Sequence, residues 1–301
     1  MPRRALAGKG DHGLAIVQTD RLTHSQASRA GLFFVPAWVG GEKDLRSMPE
    51  FMQRSPQIRS DIRRIRQHRF GYRVTRDPEE FDRFYYTMYL PYIKNIYGDR
   101  AFLMSYEAMC QAIPQSELFL VTQDGEDICG DILVYEGSDQ VRGWSWSVKD
   151  GDRHWVKLGA FAACEYLRTM YLYDKGFTRL KMGASRPFLN DGVLCFKKKR
   201  GMSIAERTPY WFMLGPLRND DAVRGFFYHN PFIHEDHEGL KAAAFLDENT
   251  LSDEDAAALF KRLYIKGLPG LDLFRFRAEG AQEIAVEACG RLDDTGSLHS
   301  F

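Results

Sequence analysis

Hydrophobic and polar positions alternate with two different periods along this chain, and the switches between them mark its elements. Ile58, Ile62 and Ile65 recur at steps of four and three behind Ser55-Pro56, which predicts an amphipathic helix with Pro in its first turn and an arginine-rich outer face. Tyr72-Arg-Val-Thr75 predicts a short strand, Pro78-Glu-Glu80 opens a second helix to about Tyr97 with a kink at Pro91, and Ser105 caps a third to Ile113. Three antiparallel strands follow, over 117–123, 128–135 and 141–148, with turns at Asp124-Gly125 and at 137–139. Val156, Ala160, Ala163, Leu167 and Met170 then return at steps of four and three, the stripe of a long helix from His154 to Asp174 packed on a sheet and stopped by Gly176. Leu180 and Met182 alternate with Arg179 and Lys181, a strand ending at Gly183. Val193, Leu194 and Phe196 give an apolar face to a half-helix that closes on Lys197-Lys-Lys-Arg200-Gly201, and 203–214 reads as the last strand of this unit.

The flanks are less patterned. Turn formers predict a frayed start to about residue 28 with a short strand over 14–17, and Pro36 demotes 31–39 to an edge strand or crossing segment. Beyond Pro216, 240–246 reads as a strand or short helix. Ser252-Asp-Glu-Asp255 starts a capped helix to about Ile265, 271–276 is a strand, and the last twenty or so residues are expected to be loose. The resulting fold class is α/β (α+β): a mixed sheet with an antiparallel meander and a helical crossover over 55–216, an amino-terminal extension of 1–54, and a β-α-β-like extension over 217–301.

Composition narrows the picture a little. The 301 residues carry 41 basic and 41 acidic side chains, so no global charge points to nucleic acid or membrane. Locally, eight arginines and one acid, Asp61, lie between Arg54 and Arg76. That helix face is either solvated or faces a phosphate-rich partner such as tRNA. Five widely spaced cysteines form no zinc or disulfide pattern, no apolar run reaches the length of a membrane span, and Met1-Pro-Arg-Arg4 offers no signal segment. A cytoplasmic protein is expected.

Candidate chemistry gathers in the middle third. The strand-to-helix junction at His154–Ala160 places Lys157, Gly159 and Ala160 where helix N–H groups suit a phosphate. The loop 185–192 holds a guanidinium, an aromatic ring and a carboxylate in Arg186, Phe188 and Asp191. Arg186 suits bidentate binding of phosphate or carboxylate or a surface salt bridge. Asp191 either orients an acceptor amine or makes an Asx turn before Gly192. Trp144 and Trp146 point the same way if 141–148 is one strand, lining a cleft or packing a core, and Asp131 within 128–134 faces either an acceptor site or solvent. His234-Glu-Asp-His237 lacks a third ligand, so no metal is expected.

Taken together, the succession Arg63-Arg-Ile-Arg-Gln-His-Arg-Phe-Gly-Tyr-Arg-Val74, the Phe/Tyr-rich helix, the meander, the crossover and Met182-Gly-Ala-Ser-Arg186 with Asp191-Gly-Val-Leu-Cys-Phe-Lys-Lys-Lys-Arg-Gly201 resembles GNAT-fold acyltransferases of the FemAB and BioF2-like branch. Phe196, Lys197 and Gly201 match the branch's Phe-Lys-x-x-x-Gly ending. FemAB-type enzymes usually carry two such units, and one is evident, over about 55–215. The Arg-x-x-Gly-x-Gly/Ala loop of common acetyl-CoA users is represented by Lys157-Leu-Gly-Ala160 alone. The resemblance implies an N-acyltransferase that moves an acyl or aminoacyl group from acyl-CoA or aminoacyl-tRNA to an amine, or a scaffold of this fold that binds without catalysis. It implies a donor contact for Lys197, strands splayed beside Trp144 and Trp146, and an oxyanion N–H between Trp144 and Ser147.

Overall fold

The structure, a computed structural model, describes residues 12–20, 32–100, 103–207, 209–247, 252–276 and 286–300. The chain forms two compact units, one of residues 42–183 and one of residues 1–41 and 184–301. These divisions differ from the expected boundaries at 54 and 216. The chain begins with β1 (Leu14–Thr19) and β2 (Phe33–Pro36) of the second of these and passes through β3 (Val39–Asp44) into the first.

Unit 42–183 contains α1 (Met48–Arg54), α2 (Pro56–Gln67), β4 (Phe70–Thr75), α3 (Pro78–Phe84), α4 (Leu90–Tyr97) and α5 (Tyr106–Ala112) before its meander. Local caps set these starts. Ser55 Oγ accepts the Ile58 N–H and Ser105 Oγ that of Ala108, while Asp77 accepts that of Glu79. The kink expected at Pro91 is a π turn over Tyr85–Tyr89: Pro91 has no N–H to give, and Leu90 N–H reaches back five residues to Tyr85 O. β5 (Ser116–Gln123) and β6 (Glu126–Tyr135) form the predicted hairpin, and Asp124 (φ 50°) with Gly125 (φ 86°) supplies the two left-handed residues of its turn. The expected third strand is two pieces, β7 (Gln140–Gly143) and β8 (Ser147–Val148), both antiparallel to β6. The expected long helix is also two, α6 (Arg153–Leu158) and α7 (Ala160–Asp174), because Gly159 at φ 103° ends one and starts the other. β9 (Arg179–Ser185) returns parallel to β7, and the strand order runs β3-β9-β7-β6-β5-β4. Leu118, Leu120, Ile132 and Val134 pack with Phe81, Phe84, Tyr85 and Met88 on one sheet face. On the other, Phe119 meets Tyr171 of α7.

The remaining unit adds α8 (Gly192–Lys198), β10 (Ser203–Arg207), β11 (Trp211–Pro216), α9 (Asp221–His229), β12 (Phe232–Asp236), β13 (Gly239–Phe245), α10 (Asp253–Leu263), β14 (Gly270–Phe276), β15 (Val286–Asp293) and β16 (Leu298–Ser300). Its sheet runs β1-β11-β2-β12-β13-β14-β15-β16, so strands from the expected amino- and carboxyl-terminal extensions share one sheet. β2 is interior rather than an edge, tolerated because Pro36 is its last residue. α10 joins β13 to a parallel β14, as the β-α-β reading requires. The tail expected to be loose carries β15 and β16, whereas residues 1–11 and 21–31 of the expected frayed start lie outside the described residues. Phe33, Phe227, Phe232, Phe245 and Phe274 form the centre of an aromatic core.

Candidate functional site

Within 42–183 the meander contains a β-bulge. β6 pairs Leu133 with Gly143 and, three residues back, Gly130 with Ser147, so four steps on one side match three on the other. β7 pairs Gln140–Arg142 with Arg179–Lys181 of β9 and ends at Gly143 while β9 runs on. The bulge turns Trp144 and Trp146 to opposite faces, against the expectation that they point the same way. Trp144 packs on the Phe81–Met88 cluster with the Arg142 guanidinium 5.4 Å from its ring, and Trp146 meets Phe161 and Arg168 of α7.

Asp131, expected to face an acceptor site or solvent, does not reach solvent. It is fully buried behind the bulge, where Oδ1 accepts the Ser145 N–H at 2.9 Å and Oδ2 accepts Trp146 Nε1–H at 3.1 Å and an Arg168 N–H. Arg168 also pairs with Glu165, and Glu165 with Lys43, whose Nζ lies 3.2 Å from Thr169 Oγ1. Two acids and two bases are thus removed from water together. Burial pushes the Asp131 carboxyl up, opposed by Arg168 and the Ser145 N–H; at Glu165 burial is again the largest influence, yet Arg168 and Lys43 outweigh it and hold the group down. Sequence reasoning missed Lys43, Glu165 and Arg168. The available signal was a Glu and an Arg three apart inside an otherwise apolar helix. A second missed cluster surrounds buried Glu117, which accepts from the hydroxyls of Tyr135 and Tyr171 and pairs with Lys175 and Arg76. These partners overcome burial and draw its carboxyl to about 2.

After the bulge the chain reaches the start of α7. No side chain caps this helix, whose first internal bond is Ala163 N–H to Gly159 O, so the N–H groups of Ala160, Phe161 and Ala162 precede the ladder. Lys157 is exposed there, and Arg64 of α2 lies against Gly159: a Cβ at Gly159 would stand 3.4 Å from Arg64 Cδ. Arg63 and Arg66 share that exposed basic side of α2. Arg64 was not among the expected site residues.

The loop and basic run of the other unit are tied to their own fold by several contacts. Asp191 is the N-cap of α8, with Oδ1 accepting from Val193 and Leu194 at 2.9 Å each, which is the turn reading. Phe188 bridges to Phe232 and packs on the aromatic core, while exposed Arg186 lies 5.9 Å from the centre of the Trp38 ring. Lys197 is buried, and its Nζ donates to Ala184 O at 2.9 Å and Ser185 Oγ at 3.0 Å. Lys198 donates to the carbonyls of Lys261 and Arg262, the C-terminal end of α10, and Arg200 lies over Phe196. Only Lys199 of the four is exposed. His234 is buried beside Phe33 and Phe274 while His237 is exposed, and among the described residues no group of three or more His, Cys, Asp or Glu could hold a metal ion.

No protein-family model matches the chain, and no curated protein matches it. Among solved structures it is similar to FemX, at 14% identity over 65% of this chain and 71% of that one, with a TM-score of 0.43. It is similar to L-PGS from Bacillus licheniformis, at 12% identity over 70% of each chain and a TM-score of 0.42. A tandem GNAT protein from the clavulanic acid biosynthesis pathway is similar at 13% identity over 72% of this chain and 68% of that one, with a TM-score of 0.38.

Proposed function

We propose that this chain is a GNAT-type transferase that moves an acyl or aminoacyl group from an acyl-CoA or related donor to an amine. In such a reaction the amine nitrogen attacks the donor carbonyl, a C–N bond forms, the C–S or C–O bond of the donor breaks, and the amine proton passes to solvent or to the leaving group. The observation that carries the reading is the uncapped start of α7, reached from the bulged strand through α6, with Arg64 and Lys157 beside it. Helix N–H groups that precede the ladder, together with two cations, suit a donor pyrophosphate. Of the residues expected from sequence, this reading keeps Lys157, Gly159, Ala160 and Trp146 with the donor. It gives Lys197, Asp191, Arg186, Phe188 and Trp144 no chemical step: they act as ties, a cap and packing.

Thermal unfolding with CoA and with acetyl-CoA tests it. A donor present at about 100 times its Kd adds ~2.7 kcal/mol of stability, and Arg64→Ala with Lys157→Ala should remove most of that gain. No shift with either compound, at concentrations to the millimolar range, would leave CoA esters without support.

The exposed Arg59, Arg63, Arg64 and Arg66 of α2 favour a second reading, in which the donor is aminoacyl-tRNA. Co-purification of tRNA that is lost steeply with salt supports that donor. Retention of neither class would leave a binding scaffold of the same fold. Five free cysteines suit a cytoplasmic setting, and among the described residues no helix is long and apolar enough to cross a membrane.

A further inference from the structure

We propose that Asp131 and Arg168, backed by Glu165 and Lys43, are positioning residues that set the Trp144–Trp146 bulge and, through Trp146 packed on Phe161, the start of α7 where the donor is held. This rests on the donor reading above and extends it to a device behind the site.

A bulge frees backbone groups from the ladder, and each must find a partner. Here Ser145 N–H finds Asp131 Oδ1, and the indole N–H of Trp146 finds Oδ2. One carboxylate thereby fixes two successive residues of the bulge. The Arg168 guanidinium reaches the same carboxylate and lies 4.7 Å from the centre of the Trp146 ring, so it holds the indole from its face as Asp131 holds it from its edge. Glu165 and Lys43 complete the neutral set and fix Arg168 in turn.

Gly143, the last residue before the bulge, ties the strand to this cluster. A Cβ there would stand 2.2 Å from an Arg168 Nη and 2.8 Å from Asp131 Oδ2, so glycine is the residue that lets the pair close against the strand. Four buried charges are a poor source of stability compared with apolar packing of the same volume. What they supply is direction: the Ser145 N–H and the Trp146 indole N–H are satisfied by one carboxylate in one geometry.

Two substitutions test the inference by different routes. Asp131→Asn keeps the shape and an acceptor for Ser145 but removes the charge facing Arg168. Gly143→Ala leaves all four charged residues in place and pushes the pair apart. Amide hydrogen exchange over 145–147 is compared with that over 118–121 of β5, and CoA affinity is measured on the same samples. Both variants should exchange at least about tenfold faster over 145–147 with β5 unchanged, and should weaken CoA by about tenfold or more. Equal acceleration in β5, unchanged exchange over 145–147, or CoA affinity within about twofold of the parent would overturn the positioning role. Failure of the parent chain to bind CoA would instead overturn the CoA-donor reading on which it rests, a result separable because it needs no variant.

Discussion

Each unit passes from a strand through a helix to a parallel neighbour, and the two passages are made of opposite materials. In 42–183 the strand bulges before the helix, α7 begins at a glycine without a side-chain cap, and Arg64 and Lys157 flank that start. In the other unit β13 and β14 pair without interruption from Ala242–Leu271 to Phe245–Phe274. There Ser252 caps α10, and Asp253, Glu254 and Asp255 fill its first turn. Those acids satisfy the helix dipole from within the chain and repel a phosphate. On the proposed reading, the same chain path makes an anion site in one place and closes it in the other. What decides is whether the chain spends its own side chains on the helix start.

Paired burial in one unit against unpartnered burial in the other offers a second comparison, and the paired cluster gives the largest expected effect. Arg168 neutralises two buried acids, so Arg168→Met should destabilise unit 42–183 by about 3–5 kcal/mol, read from urea unfolding. Changing Asp131→Leu together with Arg168→Met should recover part of that loss, since a pair removed as a pair leaves fewer charges without partners. A loss in the single variant below about 1 kcal/mol would mean that water reaches the cluster and that the contrast in burial is false.

The other unit buries a polar group with no such compensation. His234 Nε2 lacks a hydrogen-bond partner and lies 3.9 Å from Asp272, and burial lowers its pKa to about 4 against the smaller opposing pull of Asp272 and Asp236. Lys241 and Arg291 add to the lowering. The unfolded chain takes up this proton near pH 6.5 and the folded chain only near 4. Stability conferred by a neutral His234 is therefore complete above pH 6.5, declines between 6.5 and 4, and is gone below that. The loss is on the order of 3 kcal/mol. Urea unfolding followed through Trp211, at pH 7 and pH 4.5, should show it in the parent and not in His234→Phe. Parallel pH profiles for the two proteins would assign the acid sensitivity elsewhere.

Gly159 carries the next effect. Its φ of 103° lies where side chains with a Cβ are strained, so Gly159→Ala should cost about 1–2 kcal/mol and also loosen CoA by crowding Arg64. Loss of stability with unchanged CoA affinity would confine this residue to a hinge.

Much of this contrast was legible in the sequence, and its legible parts are local. Ser55, Ser105, Asp124-Gly125 and Ser252 act on residues two or three away, so reading them as caps and a turn needed no tertiary structure. The bulge was hidden because its cause, Asp131, lies fourteen residues from Ser145, while the text of 141–148 reads as one strand. The apolar stripe expected on α7 was displaced for a similar reason. Glu165, Arg168 and Thr169 are inside, and Leu167 and Met170 are only partly covered. The ties of the basic run were not legible because the carbonyls that hold Lys198 come more than sixty residues later.

Ser252 offers the smallest and cleanest break of the comparison. Its hydroxyl accepts the Asp255 N–H and so does for α10 what no side chain does for α7. Ser252→Ala should cost about 1 kcal/mol through one unsatisfied N–H at the helix start. It uncaps α10 without removing Asp253, Glu254 or Asp255, so the acidic first turn still excludes phosphate and CoA affinity should stay the same. Adding Asp253→Asn, Glu254→Gln and Asp255→Asn removes that exclusion as well. If phosphate then protects the quadruple variant against unfolding, helix-start chemistry alone separates the two passages. If it does not, the bulge and Arg64 are needed besides a bare helix end, and the anion site proposed for 42–183 is a property of three elements rather than one.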